Sequence, residues 1–247
     1  MQDQKRQNFS GSHQAQFELL SDSPLSDQKV AKVLAKNLKL LSPGTSYALL
    51  IRHAERPNFS VLNFRQDTHI TEKGLKDSQT LGKVLRELSL TGIYSSPVLR
   101  CLQTSNGVMQ GASLDHLQIT TRERLGEPGS YIINPLIVFT YFLTADVSAV
   151  IRKFISRGRM RGFMPLREGS IRILKEVLGD ISRADSRNLY VSHDAVLAPF
   201  ISFFTGEVFG EDDWIDYLDG VFVAVKEGKV SLIWNGREYP IAKDLYT

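Results

Sequence analysis

His53 and His193 each close a short apolar run. The first run is Leu49-Leu50-Ile51, followed by Arg52, His53, Ala54, Glu55 and Arg56; the second is Leu189-Tyr190-Val191, followed by Ser192, His193 and Asp194. Both runs read as buried strands, and in an open α/β sheet ligands bind just beyond the carboxyl ends of strands. Two imidazoles delivered there, with Arg52, Arg56 and Arg100 as a cation set, fit the demands of attack on a phosphate ester. That reaction needs a nucleophile in line with the leaving oxygen, cations on the non-bridging oxygens and a proton donor for the departing alkoxide. A neutral imidazole can serve as nucleophile and form a phosphohistidine. Guanidinium forks bind phosphate oxygens bidentately and stay charged. Glu127 and Asp194 are the two candidate donors. No metal or other cofactor is expected, because no His/Asp/Glu cluster has the spacing of a dedicated metal site.

The elements that must position these groups alternate between helix and strand. Val30, Val33, Leu34, Leu38 and Leu41 follow helical spacing up to Pro43-Gly44. Tyr47 to Ile51 is a strand, and Thr71 can cap a helix running to about Leu88, with Leu75, Leu81, Leu85 and Leu88 on or near one face. A strand at Thr91 to Tyr94 leads through Ser95-Ser96-Pro97 into another helix, and Leu117 to Thr121 reads as strand. From about Asn134 to Gly179 the chain reads as helical. Strand returns at Asn188 to Val191, helix at Ala195 to Phe204, and a hairpin turning at Glu227-Gly228 joins Gly220–Val225 to Lys229–Trp234. The pattern predicts an α/β protein of three layers, with a mostly parallel central sheet, helices on both faces and an antiparallel edge from the closing hairpin.

Composition sets the remaining bounds. A chain of 247 residues with 42% apolar content can bury one core, so residues 26–247 are expected to form a single domain behind a flexible polar segment at 1–25. The net charge of +3 is too small to point to nucleic acid. The single cysteine, Cys101, is compatible with a reducing compartment and reads as a small buried hydrophobe. Met1 to Ser12 has no apolar run, so no secretory leader is expected. The longest apolar stretch, about Ile132 to Phe142, is broken by Asn134-Pro135 and is too short to span a bilayer. A cytoplasmic protein without a nucleic-acid or membrane partner is therefore expected, with its oligomeric state open.

Four segments in series resemble one family. Arg52-His53-Ala54-Glu55-Arg56 is similar to the arginine-histidine-glycine signature of the histidine phosphatase (phosphoglycerate mutase-like) superfamily. Ile70-Thr71-Glu72-Lys73-Gly74 resembles the helix start that follows it. Ser95-Ser96-Pro97 through Arg100 to Thr104 resembles the second signature, and Val191-Ser192-His193 the strand bearing the second histidine. The resemblance implies a phosphoglycerate mutase-like fold. It makes His53 the phosphorylated nucleophile and Arg52, Arg100 and His193 the phosphate pocket. Arg56 and the pair His193-Asp194 resemble the acid-phosphatase branch, in which the aspartate is the proton donor. Leu125-Gly126-Glu127 resembles the mutase branch, in which a glutamate plays that part. Asp194 is favoured over Glu127, since it follows the second histidine directly. Ala54 departs from the family's glycine.

The implied activity is phosphomonoester hydrolysis on a small phosphorylated substrate. The rival outcomes are a mutase, which returns the phosphoryl group to a substrate, and a catalytically silent phosphate-binding or scaffold protein. Specificity is expected from a helical, basic insertion at about 128–167. Its residues Arg152, Lys153, Arg157, Arg159, Arg161 and Arg167 have no acid among them. They form either a solvated helix face or a basic rim over the site that attracts a polyanionic substrate.

Overall fold

Alternation along the first strand, β1 (Ser46–Arg52), decides how the layers form. Leu49 and Ile51 are buried in one apolar cluster, Ala48 and Leu50 in another, so the strand is covered on both sides. The computed structural model describes residues 28–42, 44–57, 67–126, 129–181 and 185–247; the expected lead-in at 1–25 and the candidate donor Glu127 lie outside the described residues.

Strands and helices follow in the expected order. After α1 (Gln28–Leu38) and β1 come α2 (Glu72–Leu85), β2 (Gly92–Ser95), α3 (Leu99–Ala112) and β3 (Ile119–Thr121). The segment expected to be a helical insertion supplies α4 (Pro135–Phe142) and α5 (Val147–Arg157), and leads into α6 (Leu166–Asp180). β4 (Arg187–Ser192), α7 (Asp194–Thr205), β5 (Gly220–Lys226), β6 (Lys229–Trp234) and β7 (Arg237–Pro240) complete the chain. Leu34 and Leu38 of α1, Leu81 and Leu85 of α2 and Val108 of α3 pack on one face of the sheet. Phe154 of α5, Leu174 and Val177 of α6 and Phe200 of α7 pack on the other. Leu75 is 39% exposed and stands off the buried face expected for it. No single helix among the described residues is long and apolar enough to cross a membrane.

The seven-stranded sheet runs β3-β2-β4-β1-β5-β6-β7. The ladders β3–β2, β2–β4 and β4–β1 are parallel, and β1–β5, β5–β6 and β6–β7 are antiparallel. The α/β layers and the antiparallel closing hairpin are as expected, but parallel pairing is confined to three of the six ladders. β5 lies inside the sheet against β1, and β7, absent from the sequence reading, forms the edge. Arg237, Glu238 and Pro240 of β7 are exposed, so that strand lacks the apolar run by which the others were recognised.

Candidate active site

Parallel pairing of β1 with β4 brings two distant segments together. Arg52 lies opposite Ser192, and the next residue on each strand is a histidine. The His53 amide donates to the Ser192 carbonyl at 2.9 Å, and the two imidazole centroids stand 5.4 Å apart. The loop after β1 is anchored to α2. Thr71 caps that helix by accepting from the Gly74 amide, and its hydroxyl donates to the Glu55 carboxylate at 2.9 Å. Gly74 is required by this approach: a Cβ there would stand 2.5 Å from the Glu55 carbonyl oxygen. The Ala54 methyl, in place of the resembled glycine, is buried in the core, while the Ala54 amide donates to Thr104 Oγ1 at 2.9 Å.

Arg100 joins the two histidines. It sits in the first turn of α3, after Ser95-Ser96-Pro97, and is only 2% exposed. Its Nε donates to His53 Nε2 at 3.1 Å, and a terminal nitrogen donates to His193 Nδ1 at 3.1 Å. These bonds fix both tautomers. His53 Nδ1 lies 2.8 Å from the Ala54 carbonyl, which can only accept, so Nδ1 carries the proton and Nε2 presents its lone pair. His193 accepts at Nδ1, so its Nε2 donates to Ser96 Oγ at 2.9 Å. Burial, then Arg100 and Arg52, push the pKa of His53 down to about 3. Burial and Arg100 likewise hold His193 well below its ordinary value. Both rings are neutral at physiological pH, as a nucleophile must be.

Asp194, the favoured donor, is paired with Arg52. Burial raises its carboxyl pKa, but Arg52, the Trp214 indole and His53 outweigh this and leave it below the usual carboxylate range. Its Oδ2 lies 3.0 Å from Arg52 and accepts from Trp214 Nε1 at 2.8 Å; its Oδ1 accepts from the Ala195 amide at 2.9 Å. Arg56 is half-buried, donates to the Pro57 carbonyl at 2.9 Å and acts electrostatically on His193.

Trp214 and Tyr217 were missed by the sequence reading. The Tyr217 ring lies 4.1 Å from the Arg52 guanidinium carbon and 5.8 Å from the His53 centroid, and the Ile215 carbonyl accepts from Arg52 at 2.6 Å. Together they wall one side of the pocket. The only sequence signal was the aromatic pair in Trp214-Ile215-Asp216-Tyr217, just ahead of β5. Ser96, the second residue of the Ser-Ser-Pro turn, orients His193. Cys101 is buried, with its sulfur 3.5 Å from His193 Nε2, which agrees with its reading as a core residue.

The arginines acting most strongly on His193 are Arg100, Arg52 and Arg56. Arg157, Arg159 and Arg167 instead surround a separate cavity with Phe203. Among the described residues no group of three or more His, Cys, Asp or Glu side chains could hold a metal ion.

A neutral imidazole lone pair facing buried guanidinium groups, at the carboxyl ends of adjacent parallel strands, defines a site suited to phosphoryl chemistry. Residues 48–130 match the model of the histidine phosphatase superfamily (branch 1), a span holding His53 and Arg100 and ending before the insertion's helices. The fold as a whole is that of the phosphoglycerate mutase-like α/β proteins. YhfR of Bacillus stearothermophilus is 22% identical with a TM-score of 0.53, covering 77% of this chain and 96% of its own. Phosphoglycerate mutase from Bacillus anthracis is 15% identical with a TM-score of 0.51, covering 81% and 92%. The phosphoserine phosphatase of Entamoeba histolytica, solved with 3-phosphoglyceric acid, is 15% identical with a TM-score of 0.53, covering 81% and 99%. No curated protein sequence matches the chain.

Proposed function

We propose that the chain hydrolyses phosphomonoesters through a phosphohistidine on His53. The observation that carries this reading is the pair of hydrogen bonds that Arg100 donates to His53 Nε2 and His193 Nδ1. Arg100 occupies the lone pair that must attack. An incoming phosphate offers stronger acceptors, so the guanidinium turns to the phosphate oxygens and releases Nε2. His53 Nε2 then bonds to phosphorus as the bond to the ester oxygen breaks, and Arg52, Arg56, Arg100 and His193 hold the remaining oxygens. Water attacks the phosphoramidate, the P–N bond breaks and neutral His53 returns. Because guanidinium groups supply the positive charge, turnover is expected to survive chelators.

The leaving alkoxide needs a proton, and we assign that role to Glu127. Asp194 is committed to Arg52, and Leu125-Gly126-Glu127 resembles the segment that supplies a glutamate donor. The Leu125 carbonyl accepts from Ser192 Oγ at 2.7 Å, so the chain two residues before Glu127 is tied beside His193.

The proteins of this fold named above include both a phosphatase and a mutase, so the fold does not choose between water and a second alcohol as acceptor. A small phosphorylated metabolite is the substrate class we infer. Labelled substrate should leave an acid-labile, alkali-stable phosphoryl group on the native chain and none on His53→Ala. Release of free phosphate without added acceptor supports the hydrolase; release only with a sugar-phosphate acceptor makes it a mutase. Undiminished turnover by His53→Ala overturns the mechanism.

A further inference from the structure

From Val147 to Arg167 the chain contains basic residues but no acid. Arg152 is drawn off by Glu211, 3.3 Å away. Arg157, Arg159 and Arg167 are exposed, and none has an acidic partner within ion-pair distance among the described residues. They converge on a cavity of about 400 Å³ between the end of α5, the start of α6 and the outer side of α7, floored by Leu166 and Phe203, with Glu168 the one acid on its wall. That volume falls in the roughly 300–1,000 Å³ range of small-molecule sites. The cavity is distinct from the pocket of the two histidines. Phe203 lies ten residues beyond His193 along α7, or about 15 Å at the helical rise.

Three like charges gathered around one hollow repel each other, and an anion entering it relieves that repulsion and takes their N–H donors. The half-buried Phe203 ring and Leu166 offer an apolar surface beside the charges. We propose that this cavity binds a phosphate-bearing ligand with an apolar or aromatic substituent, the phosphate between Arg157, Arg159 and Arg167 and the substituent on Phe203. That chemistry has two sources, a free phosphate ester or a lipid headgroup. The second is raised by α4, which exposes Leu136 at 81% and Phe139 at 44%. The segment before α4 is hydrogen-bonded to Gly162, in the same turn that carries Arg159.

Calorimetric titration of the full chain with phenylphosphonate, which carries the charge and the ring but cannot be hydrolysed, tests the site. The cavity is read as the component present in the native chain and lost in Arg157→Ala/Arg159→Ala/Arg167→Ala, so the reading does not depend on the chemistry of His53. The triple variant should weaken that component by about tenfold or more. Glu168→Gln removes the opposing charge and should tighten it a few-fold, an effect that a misfolded variant would not produce. Phe203→Ala should weaken phenylphosphonate more than methylphosphonate. In a second arm, phosphatidylcholine vesicles are compared with and without phosphatidic acid in co-sedimentation. Arginine-dependent binding of phenylphosphonate assigns the site to a soluble ester, and arginine-dependent pelleting with the acidic vesicles alone assigns it to a lipid headgroup. If neither arm responds to the triple substitution, the proposal is overturned.

Discussion

Two clusters of arginines in this molecule differ in what surrounds them. Arg52 and Arg100 are held by contacts within the fold, Arg52 by Asp194, the Ile215 carbonyl and the Tyr217 ring, Arg100 by two imidazoles. Arg157, Arg159 and Arg167 stand in solvent around an open cavity. The first arrangement spends folding energy on fixed charge, so that little reorganisation remains when charge develops on a reacting phosphate. The second leaves its side chains exposed to water, which suits recognition and not catalysis. The same residue type therefore carries different weight in the two places, and substitution should expose this.

Arg100→Lys should break the first cluster most severely. An ammonium keeps the charge but cannot bridge His53 and His193 from one planar fork. Turnover of nitrophenyl phosphate should fall by about 10²–10³-fold, the scale of losing an aimed donor in a dry site. A loss under about fivefold would show that the charge matters and the bridge does not.

The two carboxylates sharpen the comparison next. Asp194→Asn leaves Arg52 without its charged partner, and should slow alkyl and nitrophenyl phosphates to a similar degree, by roughly tenfold. Glu127→Gln should slow alkyl phosphates by about 10²-fold or more and nitrophenyl phosphate far less, because that phenolate departs without a proton. The opposite pairing would return the donor to Asp194 and show that bound substrate reverses the charge state found here.

The sequence made some of this contrast legible and hid the rest. His53, His193 and Arg100 could be placed because each sits at a fixed step from an apolar run or a Ser-Ser-Pro turn, and local pattern dictates local structure. The parallel half of the sheet was readable for the same reason. β7 was not, since an exposed edge strand needs no apolar alternation. Trp214 and Tyr217 were invisible for a different reason. They reach the pocket through the loop between α7 and β5, and no periodicity specifies where a loop lies. The state of Asp194 also depends on neighbours distant in sequence: Trp214 and Arg52 decide its proton, and sequence order puts neither beside it.

Acid should unsettle the catalytic cluster before the cavity. His53 has a folded-state pKa near 3, below its ordinary value, so the unfolded chain binds the proton more readily between about pH 3 and 6.5. Stability linked to His53 is present above that window and is lost as pH falls through it. Linkage puts the loss between pH 7 and 5 at about 2 kcal/mol for this group. His53→Asn should remove that part of the acid dependence, measured by urea unfolding at both pH values. An identical pH slope in the variant would show that burial does not hold His53 neutral.

The smallest effect is expected from the exposed cluster. Arg157→Ala/Arg159→Ala/Arg167→Ala removes three cations that hold no ion pair among the described residues and line the separate cavity. Surface substitutions of this kind change stability by about 0.5 kcal/mol or less each, and the loss of mutual repulsion pushes towards greater stability. Turnover of nitrophenyl phosphate at about 0.15 M salt should stay within roughly twofold of the native chain, since screening there has a length near 8 Å, shorter than the separation along α7. A rim that steers substrate would behave otherwise: kcat/KM would drop several-fold at low salt and recover its native ratio at high salt. Finding that salt-dependent drop would merge the two clusters into one site and remove the distinction drawn between them.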